Sequence, residues 1–335
     1  SYKDFAILYR TNSQSRALEE ALRRRNLPYR IYSGNSFFDR MEVKDLMAYF
    51  KLASNIDDDE SFKRIVNKPA RGIGNTSLAA LSAAAMDKGT TLFRTVFSDD
   101  LDSFGLKGAA VDKLRLFCSM ITGYASRILK EDAGDLAVSI AVESGILGFY
   151  KSDTSIEGQS KTANVEELLN SVKTFVEERK NEYFEEMLAD AADEVEISAQ
   201  DLPVVTLGDF LENVSLLSAV DVEDDEDSDN KVTLMTVHSS KGLEFPYVFV
   251  TGMEENLFPS GGFLASESDI EEERRLFYVA VTRAMKAVWL SFATTRMRNG
   301  KHESNYPSRF IREIDRKYIL NPLSNASDAT DSDSM

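Results

Sequence analysis

The chain has 335 residues, of which 43% are hydrophobic and 28% are charged, a composition typical of globular proteins and not of disordered ones. This length exceeds one ordinary domain and suits two domains of roughly 100–200 residues each. No stretch approaches the ~18 consecutive apolar residues of a membrane helix, and no signal peptide opens the chain. The composition therefore favours a two-domain protein without a membrane partner.

Cysteine and histidine are too scarce for a disulfide or a zinc site. The chain has one cysteine, Cys118, and two histidines, His238 and His302, whereas structural zinc sites use four such ligands. Cys118 lies in an apolar helical pattern and is expected to be a buried thiol. These counts predict a reducing, cytoplasmic location and oxygen ligands for any metal.

The net charge is negative: 39 basic and 56 acidic residues give −17. Proteins that bind nucleic acids usually carry a basic surface, so this balance argues against such a partner. The acidic residues are concentrated, however, in residues 57–60 (DDDE), residues 221–229 (DVEDDEDSD) and the end of the chain. Such runs are typical of solvated linkers and tails, so the net charge is only a weak argument against DNA.

The first elements in chain order form a strand–helix–strand unit. Phe5–Tyr9 is a short apolar run typical of a buried strand. Thr11 and Gln14 have capping-box spacing before an amphipathic helical stretch, and Tyr29–Tyr32 follows as a second strand. This succession within about 30 residues predicts a parallel sheet.

The middle of the chain has a different periodicity. From residue 37 to residue 220 apolar residues recur at spacings of three and four, as in Val43, Leu46, Met47 and Phe50, which indicates helices. Phe37 and Phe38 at its start suit either a core or a hinge. We expect residues 37–220 to fold as a mainly helical domain, followed by an acidic linker over residues 221–230.

Strand signals return after the linker. They cover Val232–Val237, Tyr247–Val250 and Ala287–Phe292, the last with Trp289 as an expected core residue. A helix is predicted from Ile270 to Ala284, opened by Ser268 with Glu271 at capping-box spacing.

The simplest organisation is an α/β domain built from both ends of the chain. Residues 1–36 and 231–320 would form one parallel-sheet domain, with the helical residues 37–220 inserted in it. Residues 321–335, rich in serine and aspartate, are expected to be a disordered tail.

The segment VTLMTVHSSKGLEFPYVFVTGM, residues 232–253, carries the strongest chemical signal. A buried strand leads directly into a polar loop, and the carboxyl ends of parallel strands are where open α/β sheets bind ligands. Lys241 and His238 suit phosphates, Gly242 permits a backbone turn, and Glu244 can accept hydrogen bonds from sugar hydroxyls. A polar loop without a ligand is the plain alternative.

The segment EEERRLFYVAVTRA, residues 271–284, is the second signal. As a helix it has an apolar side, while Arg275, Thr282 and Arg283 can approach another surface. A solvated helix with acidic residues at its start and arginine at its end is the alternative, because the helix dipole favours that order. An arginine is also what phosphoryl transfer needs to neutralise charge on the γ-phosphate.

The segment RGIG, Arg71 to Gly74, forms a glycine turn between two helical patterns. Pro69 breaks the preceding helix, and Asn75 or Thr76 can cap the following one. Such a turn presents backbone N–H groups that suit a phosphate, although a tight turn with no ligand is commoner.

Together these segments resemble the C-terminal half of the UvrD/PcrA/Rep group of superfamily-one DNA helicases. Residues 236–260 are similar to motif V of that group, and residues 271–284 to motif VI. The opening FAILYRTNSQSRALEEAL, the RGIG turn and PSRFIREI at residues 307–314 also match. The resemblance implies a RecA-like motor domain, 2A, of the P-loop NTPase type but lacking the P-loop itself, with a large inserted helical domain, 2B.

The resemblance assigns a nucleotide site to three residues. Glu244 would bind the ATP ribose, Gly242 lies in the same loop, and Arg283 would be the arginine finger that reaches the γ-phosphate. ATP and Mg²⁺ would be bound mainly by an upstream motor domain, across a cleft from these residues.

DNA contacts are implied at two places. Thr236 and His238 would hold phosphates of single-stranded DNA, with Arg10 at the end of the first strand. In domain 2B the RGIG turn would contact duplex DNA without sequence specificity, through Arg71, Gly72, Gly74 and Thr76. The expected partners are single-stranded DNA, single-strand/duplex junctions, the upstream motor domain and repair proteins.

No GxxxxGK[ST] motif occurs in this sequence. The nearest match, Gly158 to Thr162, lacks the glycine spacing that cradles phosphates, and Asp193-Glu194 does not end a buried strand as a magnesium site would. The resemblance implies a part of a 3′-to-5′ helicase of DNA repair or replication, and the missing motifs lead us to expect that this part does not hydrolyse ATP alone.

Two other interpretations stay open. A helicase–nuclease would need a cluster of nuclease carboxylates after the motor, where this chain has only a Ser/Asp tail. A non-catalytic DNA-binding scaffold would have no need of Glu244 or Arg283.

Overall fold

The computed structural model describes residues 1–190, 202–219, 229–261, 266–298 and 301–320. The predicted tail at residues 321–335, the Asp193-Glu194 pair and residues 221–228 of the expected acidic linker lie outside the described residues.

Five parallel strands form the central sheet, in the order β2-β3-β1-β4-β5, and two more form an antiparallel hairpin. The prediction of an α/β fold with a parallel sheet is confirmed. The strands are β1 (Phe5–Tyr9), β2 (Tyr29–Ile31), β3 (Val232–Thr236), β4 (Phe245–Val250), β5 (Ala284–Leu290), β6 (Thr295–Arg298) and β7 (Lys301–Ser304).

The strand register defines two edges of the sheet. Tyr9 pairs with Thr236 where β1 and β3 end, which we call the carboxyl edge. Phe245 pairs with Ala284 where β4 and β5 begin, which we call the amino edge. Parallel strands require a connection that crosses from one edge to the other, so side chains in such a connection can serve either edge.

Helices account for most of the remaining described residues. They are α1 (Ser15–Arg24), α2 (Met41–Ser54), α3 (Asp59–Ile65), α4 (Asn75–Lys88), α5 (Leu92–Thr95), α6 (Ala109–Ala125), α7 (Ala133–Glu143), α8 (Ile146–Lys151), α9 (Ile156–Asp190), α10 (Leu207–Ala219), α11 (Glu267–Val281) and α12 (Arg309–Glu313). The described residues between β2 and β3 thus form helices, as their apolar spacing indicates. Residues 158–162 lie in α9 and form no phosphate loop.

The helices α2 to α10 share one buried hydrophobic cluster, separate from the two clusters that flank the sheet. Phe37 is fully buried in it and Phe38 packs against it, while the backbone N–H of Phe37 donates to Glu19 of α1. Phe37 is therefore both a core residue and a link to α1. Cys118 is fully buried in the same cluster, and burial raises the pKa of its thiol to about 12.

Opposite faces of the sheet pack against different helices. On one face Ala6, Leu8 and Met235 join Leu276 and Phe277 of α11 in one cluster. On the other face Leu22 of α1 packs with residues of β1 and β3. This arrangement holds α11 against one face of the sheet.

The predicted starts of two helices were wrong. Helix α11 is capped by Ser266, which exchanges hydrogen bonds with Asp269, and not by Ser268 with Glu271. Helix α4 begins after Gly74, so neither Asn75 nor Thr76 is its cap.

The prediction that Trp289 is a core residue was also wrong. Its side chain is 45% exposed and stacks on Phe249 with ring centroids 4.8 Å apart, beside Tyr247. β5 is an edge strand of the described sheet. Val288 and Leu290 pack against the α11 cluster, which leaves the alternate residues of the strand on the opposite face.

Among the described residues, none of the helices combines the length and the hydropathy that crossing a membrane requires.

Candidate functional site

The segment that links β3 to β4 crosses the sheet from one edge to the other. Thr236 and His238 lie at the carboxyl edge, whereas Gly242 and Glu244 precede β4 at the amino edge. The polar residues of this segment therefore do not all lie at the carboxyl edge, because a connection between parallel strands must return to the opposite edge.

The sheet thus brings the predicted residues into two groups. The carboxyl-edge group consists of Arg10, Thr236 and His238. The backbone N–H of Val237 donates to the carbonyl of Tyr9 at 2.9 Å, so Arg10 and His238 leave the sheet side by side. The amino-edge group consists of Gly242, Glu244 and Arg283.

Arg10 is neither a free surface charge nor fully exposed. Its Nε and Nη2 donate to both carboxylate oxygens of Glu273 at 2.6–3.0 Å, and Nη2 also donates to the hydroxyl of Ser260 at 3.3 Å. The Arg10 side chain is 20% exposed and that of Glu273 only 7%. Glu273 comes from α11, so this ion pair joins the carboxyl-edge group to the motif VI helix.

Thr236 and His238 present polar groups on the same edge. The hydroxyl of Thr236 accepts a hydrogen bond from the backbone N–H of Ser239 at 3.2 Å and lies 3.0 Å from the Ser239 hydroxyl. His238 is exposed. Partial burial, together with the nearby Arg10 guanidinium, lowers the pKa of His238. The ring is therefore biased toward its neutral form, which can both donate and accept a hydrogen bond.

Thr236 and Ser239 open onto a cleft of about 290 Å³ between the carboxyl edge and helices α2 and α9. Asn12, Arg40 and Lys161 also line this cleft, and sequence reasoning did not select them. Their only sequence signal is a polar or basic character within otherwise ordinary helical and loop stretches.

Arg283 lies against the loop that carries Glu244. Its Nη1 donates to the carbonyl of Leu243 at 2.9 Å, its Nε to the carbonyl of Val279 at 3.0 Å, and its Nη2 to the hydroxyl of Thr282 at 3.1 Å. These bonds use three of the five N–H groups of a guanidinium. Within the described residues the other two have no partner, so they remain for an anion.

The amino-edge group fits one side of a nucleotide. Glu244 is exposed and can accept hydrogen bonds from hydroxyl groups. Gly242 has a φ of +88°, and the space that a Cβ would occupy there is open for 4 Å, so the backbone turns without side-chain obstruction. A hydroxyl acceptor and a fixed arginine on two segments that are hydrogen-bonded to each other suit a sugar and a phosphate.

The Arg71 guanidinium is directed into the protein. Its Nη2 donates to the hydroxyl of Tyr49 at 2.6 Å and to the carbonyl of Ser144 at 3.0 Å. Its Nη1 donates to the carbonyl of Ile65 at 3.0 Å, and the group lies over the ring of Phe117. The Arg71 side chain therefore stabilises the turn from inside the protein. The sequence prediction expected it to contact a phosphate instead.

The two glycines of the RGIG turn are exposed, whereas Ile73 is buried in the helical core. Gly72 has a φ of +69°, and its carbonyl accepts from the Lys113 ammonium at 3.3 Å. Gly74 precedes α4 with no side-chain cap, and no atom lies within 4 Å of where its Cβ would be. Thr76 follows in the first helical turn. The first N–H groups of a helix point outward from its start, so this turn can still offer backbone donors and a lysine.

The described residues contain no group of three or more histidine, cysteine, aspartate or glutamate side chains that could hold a metal ion.

Comparison with known proteins identifies the family of the chain. A family model, UvrD-like helicase C-terminal domain, matches residues 1–295. The chain is 38% identical over 315 residues to the ATP-dependent DNA helicase PcrA of Staphylococcus epidermidis. It is 35% identical over 322 residues to the protein of the same name from Staphylococcus aureus. These matches cover 93% and 96% of this chain.

The chain spans only 40% of the length of these curated relatives. Both segments that carry the resemblance, residues 236–260 and 271–284, fall within the matched residues 1–295. The chain therefore belongs to the UvrD-like helicase C-terminal domain family.

Proposed function

We propose that the chain is the C-terminal part of a PcrA-like ATP-dependent DNA helicase that moves 3′ to 5′ on single-stranded DNA, in repair or replication in the cytoplasm. The observation that carries this proposal is the crossing segment 236–244. It joins a carboxyl edge that suits DNA phosphates to an amino edge that suits a nucleotide. Support comes from the family match and from relatives named as DNA helicases.

In this proposal the amino-edge group completes an ATP site from one side. Glu244 binds the ribose and Arg283 stabilises charge on the γ-phosphate, its guanidinium held ready by the Leu243 carbonyl. ATP and Mg²⁺ are held mainly by polypeptide outside this chain, which would leave the chain alone without ATP turnover. Bound Mg²⁺ would neutralise phosphate charge.

The carboxyl-edge group holds the single strand, with Thr236 and His238 as phosphate contacts and Arg10 beside them. Residues 1–36 and 231–320 correspond to motor domain 2A, and residues 37–220 to the inserted domain 2B. The RGIG turn then contacts duplex DNA at the junction through backbone N–H groups and Lys113, since the Arg71 side chain is engaged internally.

The test is DNA-stimulated ATP turnover by the complete reading frame that encodes this chain. An arginine finger contributes about 10³–10⁵ in turnover, so Arg283→Ala should lower the rate by about 10³ or more. Arg275→Ala is the matched control, because Arg275 is exposed on helix α11, which precedes Arg283, and pairs with Glu272.

A wild-type rate that single-stranded DNA does not raise would contradict the proposal and favour the scaffold interpretation. An Arg283→Ala variant as active as wild type would remove the finger assignment while leaving the helicase proposal in place.

A further inference from the structure

Glu273 has a buried carboxylate that accepts hydrogen bonds from two residues, Arg10 and Ser260. Its two oxygens accept from Arg10 Nε and Nη2, and also from the backbone N–H and the hydroxyl of Ser260 at 3.1 and 2.9 Å. Burial alone would raise the pKa of Glu273, but the hydrogen bonds from Arg10 and Ser260 outweigh it and lower the pKa. The carboxylate is therefore charged and fixed.

This contact was not expected from the sequence, in which Glu273 is one of three consecutive glutamates at the start of a helix. The other two, Glu271 and Glu272, are exposed and pair with arginines of the same helix. Only Glu273 turns toward the sheet, and its partner Arg10 comes from the far end of the sequence.

Helix α11 carries Glu273 near its middle and ends two residues before Arg283. The eight residue steps from Glu273 to the last residue of the helix, Val281, span about 12 Å, so this part of α11 runs from the carboxyl edge toward the amino edge. Between them Leu276, Phe277 and Ala280 are buried in the sheet core. A helix packed in this way moves as one body, because close-packed interiors transmit small displacements.

The middle of α11 and the residues that follow its last turn are thus each tied to one of the two groups. Arg283 bonds to the Leu243 carbonyl in the amino-edge loop, and Glu273 bonds to Arg10 in the carboxyl-edge group. Arg10 Nη1 has no partner among the described residues, so the guanidinium can hold Glu273 and a phosphate at the same time.

We propose that Glu273 is a positioning residue that couples DNA binding to ATP turnover by fastening Arg10 to helix α11. This inference rests on the proposed helicase function. A displacement of Arg283 at the nucleotide is passed along α11 to Glu273 and then to Arg10 at the DNA. In the reverse direction, DNA held by Arg10 sets the position of Arg283.

The test uses the complete reading frame and the variant Glu273→Gln, which keeps the shape of the side chain and removes its charge. The quantity measured is the ratio of ATP turnover with saturating single-stranded oligodeoxythymidine to turnover without DNA. Coupling between two sites is typically 5–150-fold, so we expect this ratio to fall about tenfold. Glu272→Gln is the matched control and should keep the wild-type ratio.

Three further variants make the result specific. Glu273→Asp retains the charge and should restore part of the ratio. The double variant Arg10→Ala, Glu273→Gln should have the same ratio as Arg10→Ala alone, because both substitutions remove the same connection. Ser260→Ala loosens the same carboxylate without unpairing the charge and should lower the ratio by a smaller factor, which keeps the test available if Glu273→Gln does not fold.

A Glu273→Gln protein with the wild-type ratio would overturn the inference. So would a variant in which both rates fall together, because a structural role alone lowers them equally and leaves the ratio unchanged. If the helicase proposal itself is wrong, single-stranded DNA will not raise ATP turnover by the wild-type protein.

Discussion

Three arginines selected from the sequence have three different surroundings in the structure. Arg10 is paired with a buried carboxylate, Arg71 donates to interior carbonyl groups and a tyrosine hydroxyl, and Arg283 is oriented by three bonds yet retains unused donors. An arginine side chain is long enough to turn in either direction, so its position in a motif does not determine whether it faces a ligand or the protein.

If His238 contacts a DNA phosphate as proposed, we expect DNA binding to depend on pH. Its pKa is lowered by partial burial and by Arg10, and a phosphate placed beside the ring would raise this pKa because negative charge favours the imidazolium. A pKa that is higher in the complex than in the free protein means that the affinity rises as pH falls through that range. Fluorescence anisotropy with single-stranded DNA between about pH 8 and pH 5 measures this dependence.

His302→Asn is the control for this prediction, because His302 is the other histidine of the chain and lies on β7 beside Glu177. It should retain the pH dependence, whereas His238→Asn should lose it. An unchanged pH profile in His238→Asn would show that the ring does not meet a phosphate.

The stability of the RGIG turn depends on the Arg71 side chain, which is directed into the protein. Truncation of Arg71 to alanine leaves the buried carbonyl of Ser144 and the hydroxyl of Tyr49 without a donor. Unsatisfied buried groups and lost charged hydrogen bonds are each worth about 1–3 kcal/mol, so Arg71→Ala should lower the free energy of unfolding by about 2–3 kcal/mol. Urea denaturation followed by circular dichroism measures this change.

Arg115→Ala provides the comparison, because Arg115 is exposed on helix α6; it should change the free energy of unfolding by less than about 0.5 kcal/mol. Equal stability of Arg71→Ala and wild type would mean that the turn does not need this side chain.

Regular elements were predictable because their signals are local. β1 coincides with its apolar run, and the helices between β2 and β3 follow their spacing of three and four. The start of α11 was not predictable, because Ser266 with Asp269 and Ser268 with Glu271 have the same capping-box spacing. Because both pairs fit the same pattern, the sequence alone cannot show which serine caps the helix.

The candidate site was only partly predictable from the sequence, because it depends on how the whole chain folds. The motifs selected Thr236, His238, Glu244 and Arg283, but not how the residues are distributed between the two edges. That distribution depends on strand order, which pairs β1 with both β3 and β4. The contact between Arg10 and Glu273 joins residues 263 positions apart, and no local pattern reports such a distance.

Exposed aromatic rings on the sheet should make the 335-residue chain self-associate when its charge is reduced. Trp289 is 45% exposed on this face, and it lies beside Phe249 and Tyr247. The net charge of −17 keeps copies apart at neutral pH, and protonation toward the pI of about 4.7 removes that repulsion. Sedimentation velocity at decreasing pH should show larger species for wild type than for Trp289→Ser.

Leu116→Ser is the control, since Leu116 is 73% exposed on helix α6, away from the sheet. It should associate as wild type does. Equal association of the Trp289→Ser variant and wild type would show that this face takes no part.

The position of β1 in the centre of the sheet has a consequence for synthesis on the ribosome. Ala6 pairs with Thr233, and translation proceeds at about 5–20 residues per second, so β1 emerges roughly 10–45 s before its first partner strand. The helices α2 to α10, with a hydrophobic cluster of their own, emerge during this interval and can pack first. The sheet closes around β1 only after the distal strands arrive, so the helical segment can acquire stable structure before the sheet does.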